Sequence, residues 1–319
     1  MSWSMFVSSN FWALVLASTT PVLFATLAAN IVTKAGIFNL GIEGTMLICA
    51  LAGVLGSAFT DSLVAGMLIS IVLGIFVSFV LGYFSLIMKG AMNACGVAIN
   101  LAATGGTVFV LAMVCGSKNN SSSVVSKFFP NIQIPVLKDI PFIGEILSGQ
   151  NLVTYIGWLA VIFMSVLLYR TKIGVEIRAV GENKEAAKSV GINVLSRQFF
   201  ALALCGICCA FGGMYLSMSA LHGFTAGMVS GRGYLSLAMD AIARGNPLIG
   251  GASSLLYGFA NTITVYLQLY SKADLQLISA FPYLCIVLVL VIIQMARSRA
   301  EKHRRKSSLE TAEILNKEE

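Results

Sequence analysis

"LISIVLGIFVSFVLGYFSLI", residues 68–87, holds no charged side chain and no proline in 20 consecutive positions. As a helix rising about 1.5 Å per residue, such a run crosses the roughly 30 Å hydrocarbon core of a bilayer. Hydrocarbon offers the backbone no hydrogen-bond partners, so a lone spanning segment must be helical. The same reading applies to "FWALVLASTTPVLFATLAAN" (11–30) and "FPYLCIVLVLVIIQMA" (281–296). Composition agrees: of 319 residues, 57% are hydrophobic and 11% charged, against about 25% charged in soluble domains. The chain reads as all-α, a polytopic transmembrane helical bundle.

The net charge of +7 raises nucleic acid as a partner, but its placement argues against that. The cations sit in short loops beside apolar segments, the pattern of a cytoplasmic membrane face. Most of the seven cysteines lie inside apolar segments. "CGICC" (205–209) thus reads as packing thiols rather than a redox or metal motif, which needs exposure. The N-terminus has no charged leader region, so a cleaved signal peptide is not expected.

Placing Lys/Arg-bearing loops inside gives spans at about 11–30, 45–60, 63–88, 93–115, 152–169, 198–220, 232–245, 248–270 and 277–297. Residues 1–297 form the membrane domain. An external loop fills 117–151, with Pro130, Pro135 and Pro141. A cytoplasmic loop fills 170–197, and a basic-then-acidic cytoplasmic tail fills 298–319, its cations beside anionic lipid headgroups. This count gives nine crossings, the seventh shorter and more polar; a half-helix hidden in "TKAGIFNLGIEG" (33–44) would make ten. The range is therefore 8–10 spans. The glycine-broken stretches at 33–44 and 223–233 each lead into a helix, which suggests an internal duplication with a path at the midplane.

Within the cytoplasmic loop, "GENKEAAKSVGIN" (181–193) is polar. Asn183 suits a helix N-cap, Glu185 the first turn, and Gly191 the position after the end. Ala186 and Ala187 leave a small face, and Lys184 and Lys188 can meet acidic groups. Two turns are too short to stand alone in water, so this helix packs on its own chain or on a partner.

Ionisable groups inside a bilayer cost several kcal/mol, so they face protein or water. Asp240 and Arg244, at i and i+4, can neutralise each other, with Arg232 near that face; the pair is a structural bridge or a gate. Glu43 follows a broken stretch and has a nearby helix terminus or Lys34 as its partner. Asn39 lies in the same stretch, and both it and Glu43 are candidates for lining the translocation path. Lys89, Asn93, Asn100 and Thr104 share one helical face, as do Asn261 and Gln268. Each stripe lines a polar path or bonds helix to helix.

The chain has no G-x-x-x-x-G-K-[ST], no H-E-x-x-H and no G-x-S-x-G. Neither an ATPase site nor a catalytic or metal site is expected, and the chain is not read as an enzyme.

Three stretches together resemble a known family. "AGIFNLGIEGTML" (35–47) is similar to the NLG-x-EG signature of membrane subunits of ATP-binding cassette importers for simple sugars, branched-chain amino acids and nucleosides. "LYRTKIGVEIRAVGENKEAAKSVGINV" (168–194) resembles that family's cytoplasmic loop, and "SGRGYLSLAMDAIARGNPL" (230–248) its second signature. "IPVLKDIPFIGEIL" (134–147) looks most like the nucleoside type. Gly245 departs from the family, where an aromatic or basic residue commonly precedes the Asn-Pro.

The resemblance implies a bacterial cytoplasmic-membrane permease working by ATP-driven alternating access. Its expected partners are a second permease subunit, a cytoplasmic ATPase carrying ATP and Mg, and an extracytoplasmic substrate-binding lipoprotein. Asn183, Lys184, Glu185, Ala186, Ala187, Lys188 and Gly191 would form the helix that couples to the ATPase. Nucleosides are the expected solute, with riboflavin or a simple sugar as alternatives; an ion-coupled secondary transporter is the competing class.

Overall fold

In the computed structural model, residues 8–133, 144, 146, 148–270 and 275–318 are described. The elements are α1 (Ser9–Lys34), α2 (Ile42–Thr60), α3 (Leu63–Gly82) extended by a π-helical turn (Tyr83–Ile87), α4 (Met92–Cys115), α5 (Leu152–Arg170), α6 (Lys172–Glu182), α7 (Lys184–Ser189), α8 (Val194–Tyr215) with a second π-helical turn (Leu216–Ala220), α9 (Arg232–Ala243), α10 (Pro247–Tyr270), α11 (Leu275–Ser279) and α12 (Phe281–Glu318).

Eight helices among the described residues are long and apolar enough to cross a membrane. They match the expected spans except at 232–245. There α9 has 12 residues, about 18 Å of rise, and cannot cross the core alone. Residues 35–41 form turns and no helix, so this stretch hides no tenth crossing. The backbone of α12 stays helical from the last span to Glu318. Pro135 and Pro141 lie outside the described residues. Nearer the start of the 117–151 loop, Lys127 pairs with Asp61 at 2.8 Å.

α1, α2 and α8 form the centre, each with about two-thirds or more of its apolar window buried. α1 packs on α8, α9 and α10, and α8 on α1, α2 and α3. Between helices in lipid, tight backbone approach replaces the hydrophobic drive, which favours small residues. α3 shows how this works. Its buried positions include Gly66, Ser70, Gly74, Ser78 and Gly82, at every fourth residue, while most of its large apolar side chains, Leu81 excepted, point away. A Cβ at Gly74 would strike the Gly206 carbonyl of α8. The outer faces of α3, α4 and α12 stay exposed.

Candidate functional site

The two glycine-broken stretches meet. Gly231 begins α9 in the left-handed conformation (φ 80°), leaving the first N–H groups of that helix without internal partners. Glu43, on the first turn of α2, takes them up. Its two oxygens accept from Gly231 N at 2.8 Å and Gly233 N at 2.7 Å. A carboxylate at a helix N-terminus is also favoured by the dipole. Of the two partners expected for Glu43, the helix terminus is the one it uses.

The start of α2 is closed in the same manner by α4. Asn100 Oδ1 accepts from Gly44 N at 2.8 Å, and its Nδ2 donates to Leu40 O at 2.9 Å and to the Tyr234 hydroxyl at 2.7 Å. Asn39 turns back on its own loop, accepting from Gly41 N at 2.7 Å. Asn100 lies eight residues into α4, about 12 Å along its axis. The junction is therefore deep rather than at the surface.

A second junction sits at residues 33–36, where α1 ends. The Thr33 hydroxyl donates to Asp240 Oδ2 at 2.6 Å, and Gly245 N donates to Asp240 Oδ1 at 3.1 Å. Lys34 lies within electrostatic reach of Asp240, its stem across Gly245. Gln198 of α8 donates to Ala35 O at 3.2 Å. Gly36 faces Gly181 at the end of α6, where a Cβ would run into the Lys34 carbonyl; the Lys184 stem lies beside Gly36. Gly245 is explained here too: its φ is +71° and Lys34 fills the space a side chain would need.

The Asp240 carboxyl, expected to meet Arg244, makes its hydrogen bonds to Thr33 and Gly245. Arg244 adopts φ 51° and ψ 42° and caps the end of the helix, its N–H still donating to Asp240 O at 2.6 Å. Asp240 is buried with Thr33 and Gly245 as partners, whereas Arg244 is exposed. Arg232 folds back on its own turn, donating to Met228 O and Val229 O at 3.0 and 3.1 Å.

In the 170–197 loop, α7 is capped at both ends as its sequence suggests. Asn183 Oδ1 accepts from Glu185 N and Ala186 N, each at 3.0 Å. Gly191, at φ +83°, donates to Lys188 O, and Ile192 donates to Ala187 O, a Schellman closure. Lys184, Glu185, Ala186 and Lys188 are exposed, and Val190 is 74% exposed. Ala187 is buried on its own chain, so the two alanines do not share one free face. α6 is held to its neighbours by the Glu176–Arg197 ion pair and by Arg178 over the Tyr169 ring at 5.0 Å.

The polar stripes divide. On α4, Asn93 and Thr104 are exposed while Asn100 is buried in the junction. On α10, Asn261 is half-buried, and Gln268 donates to Ser279 of α11 at 2.9 Å. α4 packs on α2 and α3, whereas α10 packs on α1, α5, α9, α11 and α12. The two stripes therefore belong to different surroundings. Tyr234, Thr33, Gln198 and Gly181 were not singled out from the sequence. Tyr234 stands inside a motif read for its glycines, and the others lie within helices whose neighbours sequence does not reveal.

Relatives of similar length are named as transporter permeases. A guanosine ABC transporter permease protein of Bacillus subtilis is 28% identical over 286 residues, covering 86% of this chain and 89% of the relative. A putative glucose ABC transporter permease protein of Haloferax volcanii is 28% identical, covering 86% and 88%. A nucleoside ABC transporter permease protein of Lactococcus lactis is 26% identical, covering 78% and 80%. Residues 12–292 match the family described as "Branched-chain amino acid transport system / permease component", and the chain belongs to that family.

Proposed function

We propose that this chain is one of a pair of permease subunits in an ATP-driven importer of nucleosides. Two of the three relatives above are named for guanosine or nucleosides, which supports that solute class. In this reading the 170–197 loop and the C-terminus face the cytoplasm of a bacterial cell, and residues 116–133 face the exterior, where a substrate-binding lipoprotein delivers solute.

The contact of Gly181 and Lys184 with Gly36 carries the mechanism. The exposed side of α7 seats on a cytoplasmic ATPase that holds ATP and Mg. Movement of α7 and the end of α6 presses on residues 34–36. Those residues are tied to α9 through Thr33–Asp240 and to α8 through Gln198. α9 in turn starts on Glu43, so displacement at the cytoplasmic face reaches the deep junction of the two breaks. The solute passes beside that junction, along the exposed Asn93 and Thr104 of α4 and against the second subunit.

The test is uptake into proteoliposomes holding the permease pair, the ATPase and the binding protein. The panel is guanosine, inosine, glucose and riboflavin. Nucleoside uptake that survives an ionophore and stops when the ATPase's catalytic glutamate is replaced supports the proposal. Uptake that collapses with the ion gradient overturns it. A second reading, a simple-sugar permease, is favoured by the Haloferax relative at equal identity and is selected by glucose uptake without nucleoside uptake.

A further inference from the structure

We infer that the face between α3, α4 and α7 is a binding site for one anionic phospholipid, with its headgroup on three lysines and an acyl chain in the groove above. Two cavities share the 83–90 segment as a wall. The lower, about 780 Å³, is lined by Lys89, Lys184 and Lys188 together with Ser85, Asn193 and Gln198, and no carboxylate lines it. All three lysines are exposed, and none is ion-paired among the described residues. Three unopposed ammonium groups in one recess attract a phosphate, and their depth selects its source.

Lys89 lies two residues past the apolar span ending at Ile87, the level at which phospholipid phosphates lie. The upper cavity, about 610 Å³, runs from Met88 and Gly90 between α3 and α4 to Ala102, against Phe84, Cys95 and Ala98. From Ala91 to Ala102 it follows α4 for about 16 Å, half of a roughly 30 Å core. That is the reach of one leaflet. The groove lies on the α3 side of α4, turned from Asn93 and Thr104. A cationic recess at the interface, with a one-leaflet apolar groove opening beside it, fits a membrane lipid and not a free anion. Lys89 itself is held in the left-handed conformation (φ 56°) at the turn separating the two cavities.

The site does not depend on which solute is carried. Occupied, it would tie the base of α3 and α4 to the coupling helix, making transport sensitive to the anionic lipid content of the membrane.

The test is native mass spectrometry of the full chain, with the subunits that co-purify, exchanged into mixed phosphatidylglycerol and phosphatidylcholine. The expected result is preferential retention of one phosphatidylglycerol. Lys89→Gln should lower that retention roughly five-fold, from about 1 kcal/mol per cation near the surface. Ala98→Trp, which fills the groove and leaves the lysines, should lower it as well, with the melting temperature of both variants holding. Millimolar inorganic phosphate should not displace the lipid. Equal retention of the two lipids, retention unchanged in either variant, or displacement by inorganic phosphate would each overturn the assignment. If the lysines instead serve an acidic surface of a partner protein, Lys89→Gln leaves lipid retention at the wild-type level.

Discussion

Glu43 and Asn100 each close a helix that is not their own. Replacing Glu43 by Gln keeps the length of the side chain but turns a two-oxygen acceptor into an acceptor and a donor facing N–H groups. We expect a loss of about 1–2 kcal/mol, read as a lower melting temperature in detergent, with a larger loss in Glu43→Ala. Asn100→Leu strands Gly44 N–H and Leu40 C=O, at roughly 1–3 kcal/mol for each buried group. It should therefore lower the melting temperature. Thr104→Val, on an exposed position of the same helix, should leave the melting temperature alone and raise the KM for uptake. An Asn100→Leu variant with wild-type stability would return that residue to the path. Sequence identified Glu43, Asn100 and Asp240 as residues needing partners, because charge and amide groups in hydrocarbon are costly. It did not supply the partners, most of which lie 56 to 207 positions away, Gly245 beside Asp240 being the local one. The i, i+4 spacing of Asp240 and Arg244 did not reveal Thr33 and Gly245 as the hydrogen-bond partners of the carboxylate.

At the level of the element, α7 was legible because every bond that closes it is local. Asn183 and Gly191 act on backbone groups within five positions. Which alanine faces outward was not legible, since adjacent helical positions differ by about 100° and the choice depends on where α6 places the helix. The consequence is a paired prediction. Ala186→Arg, at an exposed site, should leave the subunit folded and separate ATP hydrolysis from uptake. Ala187→Arg should impair folding, seen as poor recovery from the membrane. Gly191→Pro removes the N–H that donates to Lys188 O and demands a negative φ where the chain has +83°. It should lower uptake while the membrane spans stay intact, checked by circular dichroism. Uptake at the wild-type rate in both Ala186→Arg and Gly191→Pro would remove α7 from the coupling.

Across the whole molecule, hydropathy located the crossings because length and apolarity alone decide what can span. It could not show that α9 stops at half depth, since the same composition serves a short crossing and a half-helix. The depth follows from Glu43 and Asn100, contacts between halves of the chain. In the proposed mechanism the same long-range packing makes Gly181 a transmission point. Gly181→Val would push against the Lys34 carbonyl and part α6 from α1. We expect ATP hydrolysis by the assembled complex to persist while solute uptake falls at least about ten-fold, the change given by roughly 1.4 kcal/mol. Hydrolysis and uptake falling together would indicate general misassembly instead.

The capping of α9 by Glu43 also sets a clock on biogenesis. The carboxylate is synthesised 190 residues before Gly233, so at about 5–20 residues per second it waits roughly 10–40 s for its partner to leave the ribosome. During that interval the first four spans can be inserted, but the charge at their heart has no helix to close. Until then water or a proton must hold it. Only the arrival of α9 supplies its two N–H partners, so the last third of translation completes the first.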